Sequence, residues 1–559
     1  MSTDEKPTSG ERPPSSGASS QARVRSAAAS AARRRARPHD LGLALVALVS
    51  IGLALWRVAF VLAGFDLDTD AYGHFAIARQ ILETPRDLHV HWVWLPLFHY
   101  VEALAVALGA TLQAIRLANV AIEAAVPLVL YRLMRRLRRD QRFSLPDPAP
   151  TIAALLVALS PICMQMGTTG QTEPIFSLLV LGVVFGLVAE RPIAAGALVA
   201  MAVMIRYEAW SIPPALVVLY LFDEVRSRRA GRRIGVRRLG RRFGFAIALP
   251  VAAILAWAIL RRLDGERWFA FLQGTQSFAV DAMKVKVSPL ADPKRLALDA
   301  AYYPVNVAWA VLGLPMVLAP FGVLRTWKRE GATFVAVHLA CLAFVSYAWV
   351  QRGSLGLYRH FVEIVPLYAA LIANGAVAIA DLLERLPRAR LSRSVHAFAA
   401  TRAMRWGVVA GLGFAASALT FQQMSDWMDD WRDKCRDLWP ERRAAAAFLR
   451  TVPERDVIFC DEATLEVLSG LGRRRFDRRY LGDDDRSVRV VADVARRDGE
   501  AYVASWAGKM GKLEALGHVA FRPAPLPWDK PGAPYRGVIV VKVTRGDLVA
   551  RPEAGSSPQ

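Results

Sequence analysis

The feature that most constrains this chain is a succession of apolar runs, many of about bilayer-crossing length, separated by short arginine-rich blocks. A hydrocarbon core about 30 Å thick is spanned by ~20 apolar residues of helix. No water is present there to pair a bare backbone, so runs of this kind fold as helices. Hydrophobic residues make up 54% of the 559, and mean hydropathy is +0.26. The net charge of +22 taken alone would suit a nucleic-acid binder. The basic residues, however, cluster between the apolar runs, the pattern of loops retained on the cytoplasmic side. That pattern argues against nucleic acid and makes the bilayer the first partner.

Hydropathy and the Lys/Arg flanks predict about eleven transmembrane helices. They lie near 41–63, 114–134, 150–166, 174–189, 193–207, 210–223, 243–262, 302–324, 332–350, 360–381 and 405–424. Residues 1–40, rich in Ser, Pro, Ala and Arg, read as a disordered basic cytoplasmic N-terminus ahead of an uncleaved first span. The stretch "LPLFHYVEALAVALGA" (95–110) decides the threading. If it crossed, "RLMRRLRRD" (132–140) and the nine arginines between Arg226 and Arg242 would fall outside. Placed in the interface instead, it brings every later basic loop inside. The membrane domain is then 41–424, with a large outer loop over 64–113.

From 425 to 559 the chain is mostly polar. "DVIFCD" (456–461), "AYVASW" (501–506) and "GVIVVKV" (537–543) read as buried strands. Helical patterns at 442–450, 463–471 and 487–497 alternate with them, which predicts a small extracytoplasmic α/β domain. No glycine-rich phosphate loop follows these strands, so no nucleotide is assigned. The four cysteines have no zinc-site spacing. Cys435 and Cys460 fall in the segment placed outside, where either a disulfide or two unpaired thiols is compatible with the environment.

The outer loop opens with "AGFDLDTDAYGHFAIARQIL", which sets Asp66, Asp68 and Asp70 at the mouth of the first span. Charge this close to a bilayer costs free energy and marks function. A helix from Asp70 would carry Phe75, Ala78 and Leu82 on one face. Asp70 suits its N-cap, a role that leaves Asp66 and Asp68 unexplained. On a continuous helix Asp66, Asp70 and His74, four residues apart, would share a face. Such a cluster can act as a general base or hold a divalent cation. Other candidates stand at outer span ends. Glu173 is a second carboxylate of the site or a solvated turn residue. Arg206 and Glu208 belong to the site or form a structural ion pair. Arg352, Arg359 and His360 lie near the carboxylates' level.

This first outer loop resembles that of the GT-C glycosyltransferases, multi-span membrane enzymes that take sugars from polyprenyl-phosphate carriers. The resemblance continues through "LPLFHYVEALAVALG" (95–109), "AIRLANV" (114–120), "GQTEPIFSLL" (170–179), "IRYEAW" (205–210) and "GSLGLYRHFVEIVPLYAAL" (353–371). It covers roughly 41–425 and is closest to the bacterial protein-mannosyltransferase and aminoarabinose-transferase-like group. Many relatives carry Asp-Glu before Ala-Tyr; here the pair is Thr69-Asp70 with Asp68 just upstream.

What the resemblance implies is a mainly α, polytopic GT-C fold that needs no cofactor, transferring one sugar at the extracytoplasmic face of a bacterial inner membrane. Asp70 or Asp68 would be the base. Arg359, His360 and Arg352 would hold the lipid phosphate, and Asp66, His74, Glu173, Arg206 and Glu208 would contact substrate. The acceptor could be glycan, lipid or protein. Asp-x-Asp is also found in oligosaccharyltransferases, which are similar in fold and use a divalent metal. On that alternative, Mn or Mg would bridge Asp68 and Asp70. A secondary transporter is the alternative of another class, but transporters gather polar groups near the bilayer midplane, whereas here they gather at one face.

Overall fold

The computed structural model describes residues 40–65, 69–138, 147–229, 236–283, 293–388, 395–460, 463–472, 475–477, 485–506, 510–522 and 538–550. Asp66 and Asp68 lie outside the described residues. Among those described, six helices are long and apolar enough to cross a membrane. They run over Leu41–Leu62, Leu112–Leu137, Gly244–Leu263, Leu314–Val350, Tyr358–Leu383 and Met404–Leu449. Shorter apolar helices at Ala149–Ala158, Glu173–Val188 and Pro192–Val203 fall where further spans are expected, as does Ile212–Arg229.

Two local departures have clear causes. The expected span 150–166 is two helices, Ala149–Ala158 and Pro161–Met166, because Pro161 cannot continue the ladder of the preceding turn. The run Leu314–Val350 is broken at Gly331, whose φ of 79° and ψ of 164° lie outside helical space. Only glycine adopts that conformation cheaply, so the limb after it matches the expected span 332–350, while the expected span 302–324 is itself interrupted at Gly313, whose φ is 63°. Helix approach depends on small residues too. A Cβ on Gly322 would stand 1.9 Å from the Leu371 carbonyl oxygen, and one on Gly375 would meet that of Leu318 at the same distance.

The segment expected at the interface is the helix Pro96–Ala107, twelve residues long and too short to span. It buries Phe98, His99, Glu102 and Ala103, while Val101, Leu104 and Leu108 face outward. It packs on the helix Thr69–Glu83. That helix buries Phe75 and Ala78 as expected, but Ile81 rather than Leu82 turns inward, and Leu82 is 46% exposed.

The last long helix, Val395–Leu449, does not stop at the membrane edge. Its final turns carry the predicted 442–450 helix, and Ala445 and Leu449 pack on a five-stranded sheet. The strands are β1 (Val457–Cys460), β2 (Phe476–Asp477), β3 (Glu500–Trp506), β4 (His518–Phe521) and β5 (Val538–Thr544). Their order is β2-β1-β3-β5-β4, with β1 parallel to β2 and β3, and β5 antiparallel to β3 and β4. The helix Asp485–Asp498 covers the other face through Val488, Val491 and Ala495. Cys435 and Cys460 are both buried.

This small region rests directly on the carboxylate-bearing helix. Ala463, Val467 and Leu468 pack against Tyr72 and Phe75, and Arg79 donates to the Leu471 carbonyl at 3.3 Å. The C-terminal segment therefore positions the wall of the cavity described next.

Candidate active site

At one end of the bundle a cavity of about 1140 Å³ opens between the helix Thr69–Glu83, the turn 92–95 and the ends of several spans. Asp70, His74, Glu173, Arg206, Glu208, Arg359 and His360 all line it. Seven of the ten residues singled out in the sequence are thus brought together from four separate stretches of chain.

Asp70 stands in the first turn of its helix and pairs with the Arg359 guanidinium. Burial would raise the Asp70 carboxyl, but the charge and hydrogen bond of Arg359 win and hold it below the usual carboxylate range. Arg359 arrives on a 3₁₀ turn, Tyr358–Ile364, that leads into the next span. Its Nε is also 3.6 Å from Glu173. Glu173 is fully buried in the first turn of its own helix, where the helix dipole favours a carboxylate. It is a buried residue of the cavity wall, not a solvated turn residue.

Arg206 and Glu208 do form the ion pair considered above, but the pair is part of a larger network. Arg206 reaches Glu208 with two nitrogens, at 2.6 and 3.2 Å, and Glu173 at 2.5 Å. His360 Nδ1 lies 2.9 Å from Glu208. A buried charge is tolerated only when paired and hydrogen-bonded, and here each arginine has two carboxylate neighbours.

Arg352 is the exception. It follows the Trp349 turn with φ at 58°, points away from the cavity and pairs with Asp299 at 2.5 Å. Its guanidinium lies over the Trp349 ring, 5.2 Å from the centroid. Positive φ is strained for a non-glycine residue, and the pair with Asp299 holds it there. The expected role for Arg352 in gripping the lipid phosphate is not supported by this placement.

Several residues that the sequence reading did not assign shape the site. Arg116 donates to the Thr168 carbonyl at 2.8 Å and to that of Phe65, tying the start of the carboxylate loop to the turn before Glu173. Asn119 donates to the Thr169 and Gln171 carbonyls at 2.9 and 2.7 Å. Both stand in "AIRLANV", where side chains four or fewer residues apart on one helix face can share a target. Gly73 lets Trp94 lie on the Asp70 helix; a Cβ there would be 2.8 Å from the indole. Trp92, Trp94, Tyr347, Tyr358, Trp427 and Trp431 add aromatic walls to the cavity.

Among the described residues, no group of three or more His, Cys, Asp or Glu side chains is arranged to hold a metal ion. Asp70 is already engaged by Arg359, and Asp68 lies outside the described residues.

The fold has known counterparts. The chain is similar to ArnT from Cupriavidus metallidurans bound to undecaprenyl phosphate, at TM-score 0.54 and 13% identity, over 92% of this chain and 99% of that one. It is similar to the oligosaccharyltransferase of Archaeoglobus fulgidus in complex with Zn and sulfate, at TM-score 0.50 and 14% identity, over 85% and 69%. No curated protein sequence gives a significant match. The apolar helices and these structural likenesses give a mainly α, polytopic fold of GT-C type. More particularly, the family model of Glycosyltransferase family 87 matches residues 92–350.

Proposed function

We propose that the protein moves one sugar from a polyprenyl-phosphate donor to a hydroxyl acceptor at the extracytoplasmic face of a bacterial inner membrane. The reading rests on one observation above all: Asp70 and Arg359 meet at the wall of a cavity lined by aromatic rings. The acceptor oxygen attacks the anomeric carbon, the bond from that carbon to the phosphate oxygen breaks, and polyprenyl phosphate leaves. A hydroxyl is a poor nucleophile, so a carboxylate that takes its proton lowers the barrier. Asp70 fills that role, with Asp68 as the alternative base. The leaving phosphate gains charge, which Arg359 stabilises through its planar fork of donors, aided by His360.

The Asp70–Arg359 pair gives the site a sequence of events. A phosphate arriving at Arg359 competes with Asp70 for the same donors. Donor binding thus frees the carboxylate to act as a base, and the empty enzyme keeps it engaged. Glu173, Arg206 and Glu208 contribute a fixed field below, and His74 faces the cavity from the Asp70 helix. The donor is already activated, so no nucleotide or metal is required by this chemistry. The acceptor is a glycan, lipid or protein.

Mass spectrometry of lipid-linked sugars in a deletion strain tests the reading. The strain should accumulate one polyprenyl-phosphate sugar and lack one sugar on an envelope component. An unchanged lipid-linked pool together with an unchanged envelope would overturn it. Sidedness is tested with thiol labelling of intact cells: a cysteine at Arg267 should react with an impermeant reagent and one at Lys328 should not.

A further inference from the structure

His74, His91 and His99 stand in a row that the transfer chemistry above does not use. His99, on the interfacial helix, sits between the other two. Its Nε2 is 2.7 Å from His74 Nδ1, and its Nδ1 is 2.8 Å from His91 Nδ1. All three rings are buried, at 4%, 0% and 0% exposure for His74, His91 and His99. Burial makes the charged form expensive. It pushes His74 down to about 4 and His91 to about 3, and holds His99 well below its ordinary value.

A neutral imidazole carries one N–H and one lone pair. Each of the two links needs one of each. Because His99 uses both its nitrogens, only two arrangements satisfy both links: every N–H points toward the cavity, or every one points away from it.

The two ends of the row choose between them. At the inner end, His91 Nε2 is buried with no partner, and Trp257, whose ring is 5.4 Å away and nearly perpendicular, has an unpartnered indole Nε1. The Arg261 guanidinium lies 5.5 Å from the Trp257 ring and acts on His91. A nearby cation and a nearby N–H both favour a lone pair on His91 Nε2. At the outer end, His74 lines the cavity four residues after Asp70, and its hydrogen bond to His99 uses Nδ1. The carboxylates of Asp70 and Glu173 act on His74 more strongly than Arg359 and Arg206 do. Net negative surroundings favour an N–H on Nε2.

We infer that His91, His99 and His74 form a polarised chain of neutral imidazoles that presents the Nε2–H of His74 to the cavity as a hydrogen-bond donor for a substrate oxygen. His91 donates from Nδ1 to His99 Nδ1, and His99 donates from Nε2 to His74 Nδ1. His99 and His91 are positioning residues: they fix which nitrogen of His74 carries the proton. The oxygen that receives the bond belongs to the acceptor hydroxyl or to the phosphate of the donor. This role for His74 rests on the proposed transfer site, whereas the polarity of the chain does not.

The polarity is read directly from ring ¹⁵N shifts in the full-length protein, labelled at histidine and held in lipid at neutral pH. Single changes of each histidine to Gln assign the signals. The expected pattern is Nε2–H on His74 and His99 and Nδ1–H on His91. The reverse pattern on all three, or a doubly protonated ring, would overturn the inference, and neither result depends on transfer being assayed. For the donor role, His74→Gln keeps an N–H and His74→Leu does not. Loss of one neutral hydrogen bond costs about tenfold. His74→Leu should therefore weaken either undecaprenyl phosphate binding or the KM for acceptor by that factor, with the first outcome placing the oxygen on phosphate and the second on the acceptor. His74→Gln should restore most of the loss, and His99→Phe should lower kcat/KM without abolishing it. If His74→Leu leaves both binding and KM unchanged, the donor role is wrong even where Asp70 still proves essential.

Discussion

At one end of the bundle Arg138 is enclosed by Glu330, by Asp147 at 2.6 Å and by Asn374 at 3.0 Å. At the other end Arg359 meets Asp70 and Glu173. The residue types are the same, and so is the cost of removing them from water. What differs is the space around them. Arg138 and Glu330 are closed in by Thr326 and Asn374, which bond each other at 3.0 Å. Arg325 and Arg405 extend the network through Asp381, at 2.7 and 2.8 Å. Arg359 and Asp70 instead line a cavity large enough for a sugar and a phosphate. A closed arginine network ties helices together, whereas an arginine beside a cavity can exchange its partner for a ligand. Charge alone would not separate these two ends.

The largest effect should come from breaking the open end at its base. Asp70→Asn should lower kcat by ~10²–10⁴-fold, the usual cost of losing a general base. Asn can still cap the helix, so thermal stability should barely move. Equal turnover by wild type and variant would reassign the base to another group. The matching change at the closed end inverts the pattern. Glu330→Ala leaves Arg138 without its nearest carboxylate and should cost about 3–5 kcal/mol of stability, read as a fall in melting temperature. Turnover measured well below that temperature should stay near wild type. A large loss of kcat with intact stability would show that the two ends are coupled in function.

How far the comparison could be read in advance depends on the residue. The apolar runs and their arginine flanks gave the helices and the short Pro96–Ala107 segment, because span length and charge bias are local properties of sequence. The charged site candidates were legible as polar residues at span ends; that Asp70 and Arg359, 289 residues apart, touch is a tertiary fact. Arg352 misled because only seven residues separate it from Arg359, yet the turn between them sends the two guanidiniums to different partners. His99 looked like a polar interruption of an apolar helix. Its role depends on His74 and His91 arriving from two other elements. The short strands β2 and β4 had too few residues for alternation to register.

Smaller effects sharpen the open end further. Arg359→Lys keeps the charge and loses the planar fork, so it should weaken polyprenyl-phosphate binding about tenfold while kcat falls less. An unchanged Kd would leave the phosphate to His360 and Arg206. The acid side of the pH profile follows from the sign of the Asp70 shift. Its carboxyl is held below the ordinary range in the free enzyme, so the base form persists as pH falls and is lost only beneath that range. On kcat/KM this group should give no acid limb from about pH 5 to 8. A limb near pH 6 would point to a different base. The smallest expected effect is that of EDTA, which should leave turnover unchanged. Loss on chelation restored by manganese or magnesium would favour the metal-dependent alternative, with Asp68 and Asp70 as ligands.

The central claim is that ligand phosphate takes Arg359 from Asp70. A structure of the full-length protein in lipid with undecaprenyl phosphate measures this most directly. The phosphate should lie on the Arg359 guanidinium, inside the aromatic-lined cavity, with the Asp70–Arg359 contact opened and the Arg138–Glu330 pair unchanged. A phosphate bound elsewhere, or an Asp70–Arg359 pair left intact beneath the bound lipid, would contradict it.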